Sequence, residues 1–454
     1  MPDGEYMTAL SFPEDGVVVE SPEEKMLFST INWHILPLLL VAYCFAFIDR
    51  VNIGFAQLQM KHELHFSDQV FALGAGMFFV GYLLFEVPSN LLLEKIGARK
   101  TILRIMVLWG ACATGMAWVT TPWQFYMLRF LLGAFEAGFF PGVVLYFTYW
   151  YPPARRCRAI AMFMTSAVIS GILIGPINGA LIKFGNDFLG YHGWQWMFIV
   201  NGVPCLMIGF LCYTCLSNSP AEAKWLTLEQ KRLLADRLAR DGGTGGGSRH
   251  GALGALLRDP KVYVLSFICF LYLGAVYVLV FWVPTLIQSW GVKDVFHIGL
   301  LQAIPNVVGA VGMMLMSRSS DRYNERRWHF VAGVALIATG LLGIACLNGG
   351  VAVSIALLSL ATIGTASTTP IFFSFVSEYL PKEQAASGLA LVSSLANIAP
   401  MVTPSISTWL RTSTGSNTSS LLMVVALYAA AAIVMIFAAR RPRLQYQVQG
   451  VSAL

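Results

Sequence analysis

Twelve apolar segments, each of roughly 20 residues, constrain this sequence more than any other feature. A helix of about 20 residues crosses the roughly 30 Å hydrocarbon layer of a bilayer. Because lipid offers no hydrogen-bond partner to the backbone, helices are the expected spanning elements. The sequence therefore predicts an all-α integral membrane protein. The predicted spans are 33–56, 70–93, 101–119, 123–148, 159–182, 195–216, 262–288, 297–317, 328–347, 351–376, 386–409 and 420–439.

Composition supports this fold class and excludes several functions. Hydrophobic residues make up 56% of the chain and charged residues 12%, about half the charged share of a soluble domain. The basic residues lie between apolar spans instead of forming one stripe, which argues against nucleic-acid binding. No cluster of nucleophile and base, phosphate-binding glycine motif or metal-ligand set stands out, so we expect no enzyme activity, cofactor or metal. The expected partners are a small substrate and lipid, and the expected state is a monomer.

The spans form two sets of six, separated by the longest polar stretch, Ser217–Lys261. That stretch contains a charged amphipathic helix candidate over 221–240 and then a glycine-rich linker. Loops at matching places in the two sets, 90–100 and 317–327, each put an acid and a base before a turn, as in duplicated transporter halves. The predicted organisation is a disordered tail over 1–30, a six-helix bundle over 31–216, a cytoplasmic linker over 217–261, a second six-helix bundle over 262–440 and a cytoplasmic tail over 441–454.

The distribution of basic residues predicts the orientation of the chain. If both termini are placed inside, 24 of the 30 Lys and Arg residues fall in cytoplasmic segments and 4 in outer ones. Cytoplasmic loops of membrane proteins carry such an excess of positive charge. We therefore expect both termini in the cytoplasm.

Two spans each carry a pair of charges. Asp49 and Arg50 are adjacent in the first span, and Arg129 and Glu136 lie seven residues apart, about two helical turns, in the fourth. A charge at the bilayer centre costs roughly 2.5 to 3.5 kcal/mol on insertion scales, so these residues need a reason to be there. The pattern predicts that the two helices face each other and that the four charges form the working site. The alternative is an inert network of buried ion pairs that only joins the helices.

Three stretches carry a resemblance to a known family: Phe47–Gly54, Gly81–Asn90 and Arg129–Gly142. Over roughly residues 33–440 the sequence resembles the major facilitator superfamily. More narrowly, it is similar to the anion:cation symporter family, which includes bacterial permeases for tartrate, phthalate, hydroxyphenylacetate, nicotinate and sugar acids. The resemblance implies the major facilitator fold, with 12 transmembrane helices in two six-helix halves, in a bacterial plasma membrane. The loop after the second span departs from the family pattern, with Asn90 for the usual first Gly and Glu94 for Asp.

The resemblance also implies roles for the four charges. Asp49 and Glu136 would carry protons, and Arg50 and Arg129 would meet the substrate carboxylate. Protonation of an acid would release its arginine to the anion, whose geometry matches the planar guanidinium. The implied function is proton-coupled import of a small organic anion, such as tartrate, phthalate or an aromatic acid. Anion exchange, uniport of the same substrates, or a sensor of the same fold without transport are the alternatives.

Further residues are weaker candidates. Tyr82 and Asn397 are expected either to bind the substrate or to make contacts between helices. Thr368–Pro370 are expected to break the tenth span, which would leave Phe372 and Phe373 either against a planar substrate or in the core. The residues expected to form cytoplasmic gate loops are Glu94, Lys95, Arg99, Asp321 and Arg322.

Overall fold

The computed structural model describes residues 22–242, 256–347, 349–380 and 385–438, and over these ranges the chain is nearly all helical. Within them, eleven helices are long and apolar enough to cross a membrane. The remaining predicted span, the eleventh, is divided into two shorter helices. This confirms the all-α membrane fold and agrees with twelve spans. The helices are α1 Pro22–Val51, α2 Ile53–Glu63, α3 Asp68–Ile96, α4 Ala98–Gly115, α5 Pro122–Glu136, α6 Phe139–Trp150, α7 Pro153–Phe184, α8 Gly193–Cys215, α9 Leu228–Gly242, α10 Pro260–Ser289, α11 Val295–Arg322, α12 Arg327–Cys346, α13 Gly350–Tyr379, α14 Ala385–Ala396, α15 Ala399–Thr414 and α16 Asn417–Ala438.

Three spans are built from two helices each. The first, α1–α2, is interrupted only at Asn52, and the eleventh, α14–α15, at residues 397–398. The fourth, α5–α6, breaks directly after Glu136, where Gly138 has φ +85°, a left-handed conformation that only glycine adopts at little cost. The tenth span is one continuous helix, α13, so the break expected at Thr368–Pro370 is wrong. Pro370 removes one backbone donor, a loss that helices packed among others tolerate.

Small residues let α3 and α5 approach closely in the first half. A Cβ on Gly133 would lie 1.9 Å from the carbonyl oxygen of Phe78, and one on Gly81 would lie 2.1 Å from that of Phe130. The two helices therefore cross backbone to backbone, as at other glycine-rich membrane interfaces. This crossing brings the residues around Phe78 next to the helix that carries Arg129.

The start of the predicted linker is a folded part of the first half. The Trp225 ring stacks between His34 on α1 at 4.3 Å and Trp150 on α6 at 5.4 Å. Leu234 of α9 is fully buried, and Arg237 forms an ion pair with Glu24. The helix predicted over 221–240 is present as a short 3-10 turn followed by α9. The glycine-rich part lies mostly outside the described residues.

The two halves meet at the face opposite the one where α1 begins and α16 ends, which we name the distal face. On one side, Asp68 at the start of α3 forms ion pairs with Lys61 of α2 and with Arg411 of α15. On the other, Lys183 of α7 pairs with Asp294, which caps α11. The Asp68–Arg411 and Lys183–Asp294 pairs each join a helix of the first half to a residue of the second, whereas the Lys61–Asp68 pair lies within the first half.

The space between these ion pairs is filled by close contacts deeper in the bundle. Gln57 of α2 donates hydrogen bonds to the Thr285 hydroxyl at 2.8 Å and to the Phe281 carbonyl at 3.0 Å, both on α10. Asn306 of α11 donates to the Gly171 carbonyl of α7 at 2.7 Å. Near the distal face, ion pairs and hydrogen bonds from amide side chains therefore join the two halves.

We expect Gly133→Ala to destabilise the fold, because the added methyl group has no room at the α3–α5 crossing. Overpacking of this kind costs about 1–3 kcal/mol. The measurement is the temperature at which purified protein in detergent loses its monodisperse elution peak. Gly115→Ala is the matched control, since a Cβ there meets only Leu128 at ordinary contact distance, 3.7 Å. Equal thermal stability of the two variants would contradict the prediction.

We expect Asp294→Asn to loosen the distal face, because the amide keeps the helix cap but loses the ion pair with Lys183. The hydrogen bond from Lys183 holds the pKa of Asp294 below its ordinary value, as do the backbone N–H groups of Phe296 and His297. A lowered pKa means that the carboxylate stabilises this contact above the ordinary aspartate pKa of about 3.9 and loses it only as pH falls further.

The measurement is the distance between spin labels at Leu189→Cys and Lys293→Cys in an otherwise cysteine-free chain. In wild type this distance should widen only at acidic pH, whereas in Asp294→Asn it should be broad at neutral pH as well. Asp259→Asn is the control, because Asp259 also caps a helix, α10, but at the opposite face. A pH-independent distance in wild type would refute the prediction.

Candidate functional site

Asp49 is buried at 1% exposure and its carboxylate accepts hydrogen bonds from neutral groups only, among the described residues. The indole N–H of Trp109 on α4 donates to Oδ2 at 2.8 Å, and the Cys205 thiol on α8 lies 3.5 Å from the same atom. The Asn52 amide donates to Oδ1 at 3.3 Å. Asp49 therefore joins three helices of the first half and makes no ion pair with an arginine in the described part of the chain.

Arg50 points the other way around α1, as adjacent residues about 100° apart on a helix must. Its guanidinium forms an ion pair with Glu136 at the end of α5. It also donates a hydrogen bond from Nη1 to the Tyr277 hydroxyl on α10, 3.2 Å away. Its Cζ atom lies 5.4 Å from the ring centroids of Phe78 and Tyr82, within reach of cation–π attraction. Arg50 thus contacts both halves of the protein.

Glu136 is buried at 1% exposure and its two oxygens differ. Oε1 binds Arg50, whereas Oε2 has no hydrogen-bond partner among the described residues. A half-satisfied carboxylate of this kind is expensive to keep ionised without its arginine. The helix break that follows Glu136 ends the regular backbone hydrogen bonding of α5 at this residue.

Arg129 contacts the same Phe78 ring as Arg50. The Arg129 Cζ atom is 5.1 Å from the Phe78 ring centroid, and its Nε donates to the Gly74 carbonyl at 3.1 Å. Its Nη2 is buried with no partner in the described part of the chain. Arg129 forms no ion pair there, so it is a buried cation with a free donor.

All four predicted charges lie close enough to interact electrostatically, but among the described residues only Arg50 and Glu136 form an ion pair. Arg50 and Glu136 pair across the first and fourth spans, as the sequence predicts. Within the described ranges Asp49 and Arg129 do not form a second pair. Each is instead hydrogen-bonded to neutral groups on other helices. The role of the four charges as the working site stays a prediction.

The weaker candidates divide in the same way. Tyr82 is 8% exposed and its ring lies next to the Arg50 guanidinium, so its role in substrate binding stays a prediction. Asn397 lies at the break between α14 and α15 and is not among the contacts of either arginine in the described residues. Phe372 is fully buried and packs on the Tyr272 ring at 5.2 Å, so it belongs to the core of the second half. Phe373 packs beside it.

The loop after the second span joins helices of its own half. The Arg99 guanidinium donates to the Tyr213 carbonyl at 2.8 Å, and its backbone N–H donates to Asn218 at 3.1 Å, both at the end of the sixth span. Lys95 is exposed. The side chain of Glu94 lies outside the described residues.

In the second half the matching loop is held by Arg326, which the sequence reasoning did not select. Arg326 pairs with Asp321 and with Glu378 at the end of α13, the latter at 2.9 Å. Burial lowers the pKa of Arg326, but the bonds from Glu378 and Asp321 outweigh it and raise this pKa above its ordinary value. Arg322 is exposed at the end of α11. Both predicted gate loops thus contact their own half.

Four residues of the site were missed by sequence reasoning: Tyr277, Phe78, Trp109 and Cys205. Each is a residue type that usually fills a core, and each lies on a span other than those that carry the charges. Each is assigned to the site only because the structure places it beside a buried charged residue on another helix. No spacing within the sequence carries that information.

Comparisons with known proteins agree with this architecture. A family model described as Major Facilitator Superfamily matches residues 39–293 and 287–452. A relative from Pseudomonas putida, named "Putative metabolite transport protein NicT", is 42% identical and spans 84% of this chain and 87% of its own. A "Putative tartrate transporter" from Agrobacterium vitis is 40% identical over 94% of each chain.

Among solved structures, a bacterial homologue of the human lysosomal transporter Spinster, in an inward-facing and occupied conformation, matches with a TM-score of 0.71. It is 16% identical and the match covers 90% of this chain and 97% of that one. A D-xylose-proton symporter matches with the same TM-score and identity, over 89% and 97% of the two chains. These similarities concern the fold.

We expect Trp109→Phe to destabilise the protein, because Asp49 Oδ2 then keeps only the weak thiol donor of Cys205. An unsatisfied buried acceptor costs about 1–3 kcal/mol. Trp194→Phe is a matched control, since Trp194 is equally buried in the same half but its indole N–H has no partner among the described residues. The measurement is again the loss of the monodisperse peak on heating. If both variants melt together, the hydrogen bond to Asp49 contributes little.

Proposed function

Because this chain belongs to the Major Facilitator Superfamily, we propose that it is a proton-coupled symporter that imports a small organic anion by alternating access. The general part of this function follows from the family and the relatives: the chain is a multi-pass membrane transporter of small organic substrates and not an enzyme. Coupling to protons and the choice of a carboxylate as substrate are our proposal. The relatives named as tartrate transporters support an anionic substrate, a mono- or dicarboxylate.

The main support for the proposal is that Arg50 is bound by a single oxygen of the buried Glu136, whose other oxygen has no hydrogen-bond partner among the residues that the structure describes. A substrate carboxylate offers the planar guanidinium two parallel hydrogen bonds, which is a better match than the one that Glu136 makes. Glu136 displaced as an anion would be a buried charge without a partner, which is costly. Protonated Glu136 avoids that cost, so anion binding at Arg50 and proton binding at Glu136 favour each other.

The geometry supports different roles for the two acids. Glu136 touches the arginine that would bind substrate, so we assign the main coupling proton to it. Asp49 forms no ion pair with either arginine among the described residues and is bonded instead to Trp109, Cys205 and Asn52. We propose that it is the second proton-carrying acid. With its free Nη2, Arg129 is placed to meet a second carboxylate across the Phe78 ring.

The test is uptake into proteoliposomes with an inward proton gradient, using a panel of small carboxylates. We expect wild type to accumulate at least one of them and to stop when the gradient is collapsed. Glu136→Gln should still exchange substrate across the membrane but not concentrate it, since the amide cannot carry the proton. Arg50→Lys should weaken uptake about tenfold or more, because an ammonium group cannot make the paired hydrogen bonds.

Glu229→Gln, on the exposed linker helix α9, is the control and should transport as wild type does. Asp49→Asn tests the second acid in the same assay. If accumulation ignores the proton gradient and depends on anion preloaded inside, the protein is an exchanger. In that case the assignment of Glu136 and Asp49 as proton carriers is wrong.

A further inference from the structure

Asp68, at the start of α3, is an acid shared between the two halves. Its Oδ1 pairs with Lys61 of its own half and its Oδ2 with Arg411 of the other. If Arg411 leaves, Lys61 therefore still compensates the charge of Asp68. Arg411 also has a partner in its own half, because its Cζ atom lies 4.5 Å from the Trp282 ring centroid, within reach of cation–π attraction. The ion pair between Asp68 and Arg411 can thus be broken without leaving either charge alone.

Lys183 and Asp294 form another ion pair across the distal face, but its cation is less protected from water. The side chain of Lys183 is 38% exposed, whereas that of Arg411 is 13% exposed. Electrostatic attraction is stronger where water is excluded. An arginine also offers a carboxylate two parallel hydrogen bonds, whereas a lysine acts as a point charge. Of these two cations, Arg411 is therefore the better site for a carboxylate anion.

A cavity of about 30 Å³ lies beside Arg411 and is also lined by Asp68, Gln57 and Trp282. It has room for one or two water molecules. A substrate carboxylate therefore does not fit beside the Asp68 carboxylate and has to replace it. The two groups have the same shape and charge, so the exchange keeps Arg411 paired with a carboxylate throughout and avoids the cost of a poorly hydrated, unpaired cation.

This cavity lies on the way from the distal face to Arg50. Gln57, in its lining, is seven residues beyond Arg50, about 10 Å of helical rise. Gly54 lines it as well, and a Cβ there would lie 3.0 Å from the carbonyl oxygen of Phe281, so the halves touch between the cavity and Arg50. The distal face is the outer one in the orientation that the basic residues predict. An anion that enters from outside then meets Arg411 before Arg50.

We propose that Arg411 is an entry site for the transported anion, whose carboxylate displaces Asp68 and thereby opens the distal face. Arg411 stays on Trp282, Asp68 stays with Lys61, and the ion pair between the halves is lost. When the anion moves on to Arg50, Asp68 returns to Arg411 and the face closes behind the anion. The inference rests on the proposed function in taking the ligand to be the transported carboxylate.

The test measures the distance between spin labels at His62→Cys and Ser413→Cys, exposed positions of the first and second half, in an otherwise cysteine-free parent chain. The probes are the sodium salts of L-tartrate, phthalate and nicotinate, compared with sodium chloride at equal ionic strength. We expect at least one carboxylate to widen the distance, whereas chloride leaves it unchanged. Equal widening with chloride would mean charge screening and would overturn the inference.

Two variants test the exchange of partners. Arg411→Lys keeps a charge opposite Asp68 but lacks the planar guanidinium, so the carboxylate concentration for half-maximal widening should rise about tenfold or more. Lys61→Gln removes the partner that retains Asp68, so this concentration should rise severalfold. The distance without anion should stay as in the parent chain, because Lys61 pairs within the first half. Lys293→Gln, which removes an exposed charge at the same face, is the control and should change neither quantity.

The inference and the proposed function fail through different results. Arg50→Lys should still show the widening, because the entry site is intact. If the widening is lost in Arg50→Lys and kept in Arg411→Lys, it originates at Arg50, so the entry site is wrong and the proposed anion site stands. If no carboxylate widens the distance while uptake depends on Arg50, again only the inference is overturned. If neither widening nor uptake occurs with any carboxylate, both are overturned.

Discussion

The removal of charge from water is the constraint on which the centre of this protein depends. Four ionisable side chains lie deep in a bundle that is surrounded by hydrocarbon, and they are stabilised in different ways. Asp49 is held by an indole, a thiol and an amide, none of which can leave with a substrate. Arg50 and Glu136 hold each other. The hydrogen bonds of Asp49 are a permanent part of the first half. The ion pair between Arg50 and Glu136 can instead be replaced by an ion pair between Arg50 and a substrate carboxylate.

The arrangement of the two halves follows from the same constraint. Contacts between them concentrate at the distal face, where ion pairs at Asp68 and Asp294 are partly exposed and therefore individually weak. The halves also pack closely near these ion pairs, since a Cβ on Gly299 of α11 would lie 2.1 Å from the carbonyl oxygen of Gly175 of α7. The contacts within each half, such as the close crossing of α3 and α5, are apolar and tight, so each half keeps its shape.

The sequence was sufficient for the fold because lipid leaves so few alternatives. Apolar length alone predicts the spans, and the structure agrees with them throughout the described residues. Breaks within spans were harder to predict: Thr368–Pro370 has the composition of a break and lies in a continuous helix, whereas the left-handed Gly138 ends a helix. Proline removes one donor, which neighbouring helices tolerate, but a positive φ changes the direction of the chain.

The candidate site was predicted where both members of a contact were charged, and missed where one was neutral. The seven-residue spacing of Arg129 and Glu136 put two charges on one face, and Glu136 indeed meets Arg50. Tyr277 and Trp109 have the composition of core residues, and only the tertiary structure places a charge beside each. A hydrogen bond from a neutral donor on another helix produces no periodic pattern in the sequence, so it cannot be predicted from spacing.

Arg50 holds a glutamate of its own half and a tyrosine of the other, and this has a thermodynamic consequence. The interactions of this one guanidinium depend both on which anion is bound to it and on whether Tyr277 of the other half is within hydrogen-bond distance. By linkage, an anion that binds Arg50 with different affinity when Tyr277 is in reach shifts the balance between the two arrangements by the same factor. The exchange of partners at a single side chain is then enough to connect occupancy with shape, without any relay through the bundle.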